Sequence, residues 1–90
     1  MNERRDKLKI IHDMLSVVHE KSGKIKPTHL LYKSNLSYSK MQAYIKELSE
    51  KDLIKEAQSS SGKTYIITKA GIKFLEDYKR IKEFTDSFGF

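Results

Sequence analysis

The stretch "AQSSSGKT", residues 57–64, contains the residue types best suited to chemistry in this chain. If Ala is accepted at its first position, it fits the nucleotide-binding P-loop pattern G-x-x-x-x-G-K-[ST], ending in Gly62, Lys63 and Thr64. Such a loop binds phosphate at the N-terminus of the helix that follows it. The next residues are "YIIT", however, and this mixture of aromatic and β-branched side chains favours a strand. The sequence therefore predicts a hairpin tip here.

The three histidines are the remaining candidates for imidazole chemistry. His12 and His19 lie about two turns apart on one predicted helix, too far apart to share a metal as an i,i+4 pair would. No nucleophile stands beside His29. The chain has no cysteine, which excludes disulfides and thiolate metal sites. We therefore predict a protein that is not an enzyme and that carries neither a cofactor nor a metal.

Length and composition limit the class of protein. With 90 residues, 38% of them hydrophobic, the chain can form one modest core, so one domain over residues 1–90 is predicted. No apolar run approaches the ~20 residues of a membrane span, and charges interrupt the segment where a signal peptide would be apolar. We expect a cytoplasmic protein.

Hydrophobic periodicity predicts the elements that would position these residues, beginning with a helix from Glu3 to about Glu20. Its apolar stripe consists of Leu8, Ile11, Leu15 and Val18. Gly23 is expected to end this helix in a left-handed conformation. A short helix follows in "PTHLLYKS", begun by either Pro27 or Thr28 and ended by Asn35, a residue that accepts positive φ.

A longer helix starts almost at once, with Ser37 as its N-cap. Met41, Ile45 and Leu48 step down its predicted buried face. A short helix, a tight turn and a longer helix form a helix-turn-helix.

The second half of the chain predicts a hairpin and a last helix. The stretches "DLIKEA" and "KTYIIT" are predicted strands joined by "QSSSG", and Thr68 caps the helix that runs to the end. Helix, helix-turn-helix, hairpin and helix is the order of elements in a winged helix. The predicted fold is therefore mainly α with a small β-hairpin, a winged helix-turn-helix with an added C-terminal helix.

The formal charge of +6 is sorted by predicted element. One acid-free segment holds the helix-turn-helix, with Lys21, Lys24, Lys26, Lys33, Lys40 and Lys46. A second, residues 57–75, holds the wing, with Lys63, Lys69 and Lys73. In a winged helix these two parts contact DNA. We predict a nucleoid-associated protein that binds double-stranded DNA as a transcriptional regulator or chromatin protein. The alternative is a protein-interaction module within a larger transcription or repair assembly.

The predicted recognition helix, about residues 37–51, would lie in the major groove, with the wing, about 58–63, on the backbone. Lys40 and Lys46 can reach phosphates or guanine edges, and Gln42 can address adenine. The outward side has no arginine, which predicts modest sequence preference or readout of DNA shape. The predicted contact residues are Thr28, Ser37, Tyr38, Ser39, Lys40, Gln42, Ala43, Lys46 and Lys63.

The tyrosines allow more than one role. Tyr38 either stacks on the sugar-phosphate backbone or packs against the second helix. We expect Tyr32, Tyr44 and Tyr65 at the edge of the core.

Apolar residues continue along the last helix beyond the part that the core can shelter. A small monomer would leave these side chains in water, so we predict a homodimer through residues about 69–90. The alternative is that this helix folds back on the first helix. The predicted dimer contacts are Tyr78, Ile81, Phe84 and Phe88, with Phe90 also apolar.

Two stretches, "NLSYSKMQAYIKELSEKDLI" and "YIITKAGIKFLEDY", resemble a family of small archaeal winged-helix proteins. The family pattern is N-L-S-Y, Y-[LI]-x-x-L, G-L-I, a short wing and T-x-x-G-x-x-[FL]-L-x-x-Y. The resemblance implies double-stranded DNA binding and a homodimer formed by the C-terminal helix as an antiparallel coiled coil. In this sequence Asp52 replaces the glycine that usually ends the recognition helix. The matching residues are Asn35, Leu36, Ser37, Tyr38, Tyr44, Leu48, Leu53, Ile54, Thr68, Gly71, Phe74, Leu75 and Tyr78.

Overall fold

The computed structural model describes residues 6–89, which form four helices and a three-stranded antiparallel sheet. Glu3 and Phe90, both named in the predictions above, lie outside these residues. The observed order confirms the winged helix-turn-helix prediction and its added C-terminal helix. In chain order the elements are α1 (Lys7–Glu20), β1 (Lys24–Ile25), α2 (Pro27–Ser34), α3 (Tyr38–Glu50), β2 (Ile54–Ser59), β3 (Gly62–Ile67) and α4 (Lys69–Ser87).

Side-chain and backbone caps define both ends of α1. Asp6 accepts a hydrogen bond from the Lys9 N–H at 2.8 Å, which satisfies a free donor of the first turn. At the other end the Gly23 N–H donates to the Val18 carbonyl at 3.0 Å. Ser22, with φ of 62°, is the first left-handed residue, and Gly23 follows at 82°. The predicted left-handed conformation of Gly23 is therefore confirmed, but the turn begins one residue earlier, at Ser22.

The helix-turn-helix consists of α2, residues 35–37 and α3. Pro27 rather than Thr28 begins α2, where its missing N–H costs nothing. Asn35 ends the helix at φ of 57°, as predicted. Ser37 caps α3 by accepting from the Lys40 N–H at 3.3 Å, which confirms the predicted N-cap.

The wing is a long hairpin with a two-residue turn at 60–61. β2 and β3 pair from Ile54 opposite Ile67 to Ser59 opposite Gly62, so pairing continues closer to the tip than predicted. Gly62, Lys63 and Thr64 all lie in β3, so they are part of a strand and do not lead directly into a helix N-terminus, as a P-loop would. The prediction of a hairpin tip over the P-loop match is therefore confirmed. The short strand β1, which pairs with the other edge of β3, was not predicted because two residues carry no periodic signal.

One hydrophobic core lies between the helices and the sheet. Tyr65 is fully buried, so its predicted place at the core edge is wrong. Leu8 is 57% exposed, although it begins the predicted stripe of α1, because the first turn extends past the elements that cover the core. The buried apolar residues are Ile11, Met14, Leu15, Val18, Ile25, Leu30, Met41, Ile45, Leu48, Ile54, Tyr65 and Ile67.

The start of α4 is held against the start of β2. Thr68 caps α4, since its Oγ1 accepts from the Gly71 N–H at 3.0 Å, and this hydroxyl lies 2.6 Å from the Asp52 carbonyl oxygen. A Cβ at Gly71 would overlap the Leu53 carbonyl oxygen, so glycine permits this close approach. Further along, Tyr78 stacks on His12 of α1 with ring centroids 4.3 Å apart.

Candidate nucleic-acid interface

The outward side of α3 carries most of the predicted contact residues. Met41, Ile45 and Leu48 are buried, as predicted, and the helical period therefore directs the opposite side to solvent. Gln42 is half-buried at the margin of this exposed side. The exposed contact residues of α3 are Tyr38, Ser39, Lys40, Ala43 and Lys46.

Tyr38 is 63% exposed, so packing against α2 could bury only the smaller part of its side chain. Helical spacing sets Tyr38 on the same side of α3 as Met41, but in the first turn, beyond the edge of the core. The hydrogen bond and charge of Glu56 raise the pKa of the Lys63 ammonium, and Tyr65 and Tyr38 contribute smaller electrostatic effects.

The remaining predicted residues lie at the start of the two helices of the helix-turn-helix. Thr28 is exposed in the first turn of α2, and Ser37 is exposed just before α3. Because the Ser37 oxygen accepts the capping bond, its O–H proton stays available to a phosphate. Both hydroxyls can therefore donate to an anion.

A groove of about 510 Å³ separates the second half of α3 from β2. Gln42 and Lys46 line it from the helix, and Lys55 and Glu56 line it from the strand. Amide and ammonium groups can hydrogen-bond with base edges or phosphates, whereas a carboxylate can only accept hydrogen bonds, for example from the amino group of cytosine.

Ion pairs are distributed unevenly over the surface. Within residues 6–89, no carboxylate forms an ion pair with Lys40 or Lys46. Glu47, on another side of α3, pairs with Lys7 of α1 at 2.7 Å, and this contact raises the pKa of Lys7 through a hydrogen bond and opposite charge. The ammonium groups on the outward face of α3 are thus available to an external anion.

Three exposed residues were not identified from the sequence: Tyr32 of α2, and Lys55 and Glu56, which line the groove. Tyr32 is 81% exposed rather than at the core edge, because it lies about half a helical turn from the buried Leu30. Its two-residue offset from Leu30 was the signal that could have identified it. Lys55 and Glu56 lie just before the acid-free wing segment, and only the strand register brings them beside α3.

A second exposed surface is apolar and lies on α4. Ile81, Phe84 and Phe88 are each 64–65% exposed, and Phe84 and Phe88 contact each other edge-on at 5.0 Å. Tyr78 is partly buried against α1. The exposed Leu8 of α1 and Ile81 line an adjacent groove of about 380 Å³. We call Leu8, Ile81, Phe84 and Phe88 the apolar face.

The described residues contain no cluster of three or more His, Asp or Glu side chains that could hold a metal ion. Nor, over the same part of the chain, is any helix both long and apolar enough to cross a membrane.

Comparisons with known proteins agree on the fold. A family model described as winged helix-turn-helix matches residues 4–86. Sso10a-2, a DNA-binding protein from Sulfolobus solfataricus, has a similar structure with a TM-score of 0.73 at 23% identity, covering 94% of this chain and 90% of that chain. No curated protein matches the sequence.

Two further solved structures are similar. The winged-helix DNA-binding protein F93 from STIV has a TM-score of 0.71 at 15% identity, covering 89% of this chain and 92% of its own. AbsC, a MarR family transcriptional regulator from Streptomyces coelicolor, has a TM-score of 0.71 at 16% identity, covering 78% of this chain and 50% of its own. At these identities the likeness concerns the fold.

Proposed function

Because the chain belongs to the winged helix-turn-helix family, we propose that it binds double-stranded DNA as a transcriptional regulator or chromatin-associated protein of the nucleoid. The observation that carries this proposal is the exposed face of α3, where Lys40 and Lys46 have no acidic partner among the described residues. In this fold the recognition helix enters the major groove and the wing contacts the backbone. The descriptions of the Sulfolobus and STIV proteins as DNA-binding support the same function.

Each contact residue has a role that follows from its chemistry. Lys40 and Lys46 donate to phosphates or to guanine, and Lys63 of the wing donates to a phosphate. Gln42, from the groove, pairs with the edge of an adenine. Tyr38 lies against a deoxyribose between the helix and the wing. Thr28, Ser37 and Ser39 donate to the backbone, and Ala43 allows the helix to approach the groove closely.

The proposed assembly is a homodimer of single-domain chains, each spanning residues 1–90. The apolar face supports it, since Ile81 and Phe84 of α4, and Phe88 directly after this helix, are about two thirds exposed. The part of α4 that reaches Tyr78 packs on α1, but this packing leaves the apolar face open. A second copy would cover this face and would present a second recognition helix to the DNA.

Salt-dependent duplex binding tests the proposed function. A labelled duplex of about 30 base pairs is titrated with the full chain at several salt concentrations. The logarithm of the affinity should fall linearly with the logarithm of salt, by about 0.9 for each phosphate neutralised. Absence of binding, or binding that salt does not weaken, would contradict the proposal. A protein partner bound with no affinity for DNA would instead support the interaction module.

A further inference from the structure

The wing lysine is already paired within the protein. Lys63 Nζ lies 3.2 Å from Glu56 Oε2, and both side chains are about half exposed. Glu56 is opposite Tyr65 and Lys63 is opposite Gln58, so the two charged residues are diagonal neighbours across the hairpin. The pair therefore follows from the strand register.

The same sheet face connects the core with the interface. Strand alternation sets Glu56 on the face of the buried Ile54 and Tyr65. Near the tip of the hairpin, the residues on this face lie beyond the core. There Glu56 lines the groove opposite Gln42 and Lys46 of α3. A phosphate that reaches Lys63 must approach the Glu56 carboxylate as well.

We infer that Glu56 limits the affinity of this protein for DNA, because its carboxylate competes with a DNA phosphate for Lys63. The inference rests on the proposed function. At 3.2 Å the internal pair is much closer than the Debye length of about 8 Å at physiological salt, so salt weakens the attraction between Glu56 and Lys63 without removing it. Binding exchanges the internal pair for a phosphate contact and leaves Glu56 beside the backbone.

This arrangement has a consequence for selectivity. Phosphate contacts strengthen binding to every sequence alike, whereas base contacts distinguish sequences. By weakening the wing contact, Glu56 lowers affinity for all DNA and increases the relative weight of the contacts made by α3. Glu56 is thus a residue that sets how strongly the protein binds to DNA in general.

Removing the carboxylate tests the inference. Glu56→Gln keeps the length of the side chain and should bind a random duplex about three- to tenfold more tightly at low salt, with a salt slope steeper by about 0.9. Glu76→Gln, the same charge change on the exposed side of α4, is the control and should change affinity less than about twofold. Glu56→Thr, which favours a strand, should give the same gain as Glu56→Gln.

A double-mutant cycle identifies the competition. In a Lys63→Ala background, Glu56→Gln should improve binding no more than the control does, because the contested lysine is gone. An undiminished gain in that background overturns the inference, as does a Glu56→Gln protein that binds no more tightly than wild type. If neither wild type nor any variant binds DNA, the proposed function fails and the inference fails with it.

Discussion

Lys40 and Lys46 are the residues on which the proposed contact with DNA depends most directly. Both are exposed on α3, and no described carboxylate neutralises them. Lys40→Ala and Lys46→Ala should each weaken binding to all duplexes, and each should reduce the salt slope by about 0.9. Lys79→Ala, on an exposed position of α4, is the matched control and should leave the slope unchanged. The measurement is duplex titration at four or more salt concentrations.

The Gln42→Ala variant tests a base contact, and its effect is measured as a change in sequence preference. The Gln42 side chain is uncharged, so its loss should leave the salt slope as it is and alter the preference among duplexes that differ at adenines. A loss of binding that is equal for every sequence would contradict the proposed base contact. Equal slopes for wild type, Lys40→Ala and Lys46→Ala would contradict the proposed phosphate contacts.

At the scale of elements, the end of α3 sets the direction in which the chain enters the wing. The Asp52 N–H donates to the Ser49 carbonyl at 3.1 Å, and the Leu53 N–H donates to the Leu48 carbonyl at 2.9 Å. This pattern is a Schellman motif, which requires a left-handed residue, and Asp52 has φ of 59°. Asp52 thus occupies a left-handed position of the kind that usually favours glycine.

Replacing Asp52 by glycine and by alanine should therefore change the free energy of unfolding in opposite directions. Asp52→Gly removes the steric cost of the left-handed conformation and should raise the free energy of unfolding by up to about 1 kcal/mol. Asp52→Ala keeps a Cβ but loses the tolerance of aspartate, and it should lower that free energy by about 0.5–1 kcal/mol. Urea unfolding followed by circular dichroism measures both. A glycine variant less stable than the alanine variant would contradict this account of the turn.

For the whole molecule, the main question is whether a second copy covers the apolar face. If a second copy covers it, light scattering should give twice the 10.5 kDa chain mass at micromolar concentration. Phe84→Asp places a carboxylate in the proposed dimer contact, where its burial would be unfavourable. This variant should therefore be a monomer that binds DNA more weakly at equal salt. Glu83→Lys is the control, because Glu83 lies two residues from Ile81 and so on the opposite side of α4.

Two outcomes would contradict the dimer. A wild-type chain that stays monomeric at high micromolar concentration leaves the apolar face without a second copy. A Phe84→Asp protein that stays dimeric would show that another surface holds the copies together. Circular dichroism of each variant confirms that α4 remains helical.

The order of the helices and of the hairpin, and three of the helix caps, follow from the sequence alone, because these features depend on interactions within a few residues. Ser37 and Thr68 were predicted as N-caps and Asn35 as a left-handed terminator, and all three roles are observed. The inward side of α3 likewise followed from the spacing of Met41 and its buried neighbours. Each of these features involves residues on one helix or turn, so the period of 3.6 residues was sufficient.

The position of each element's end relative to the core, and the pairing of the strands, depend on tertiary contacts. Leu8 and Tyr38 are exposed because their turns extend past the elements that cover the core, which no local pattern records. The pairing of Glu56 with Lys63 depends on the hairpin register, and the strand β1 exists because β3 offers it an edge. Such contacts join residues distant in sequence, so their free energy depends on geometry that appears only when the chain has folded.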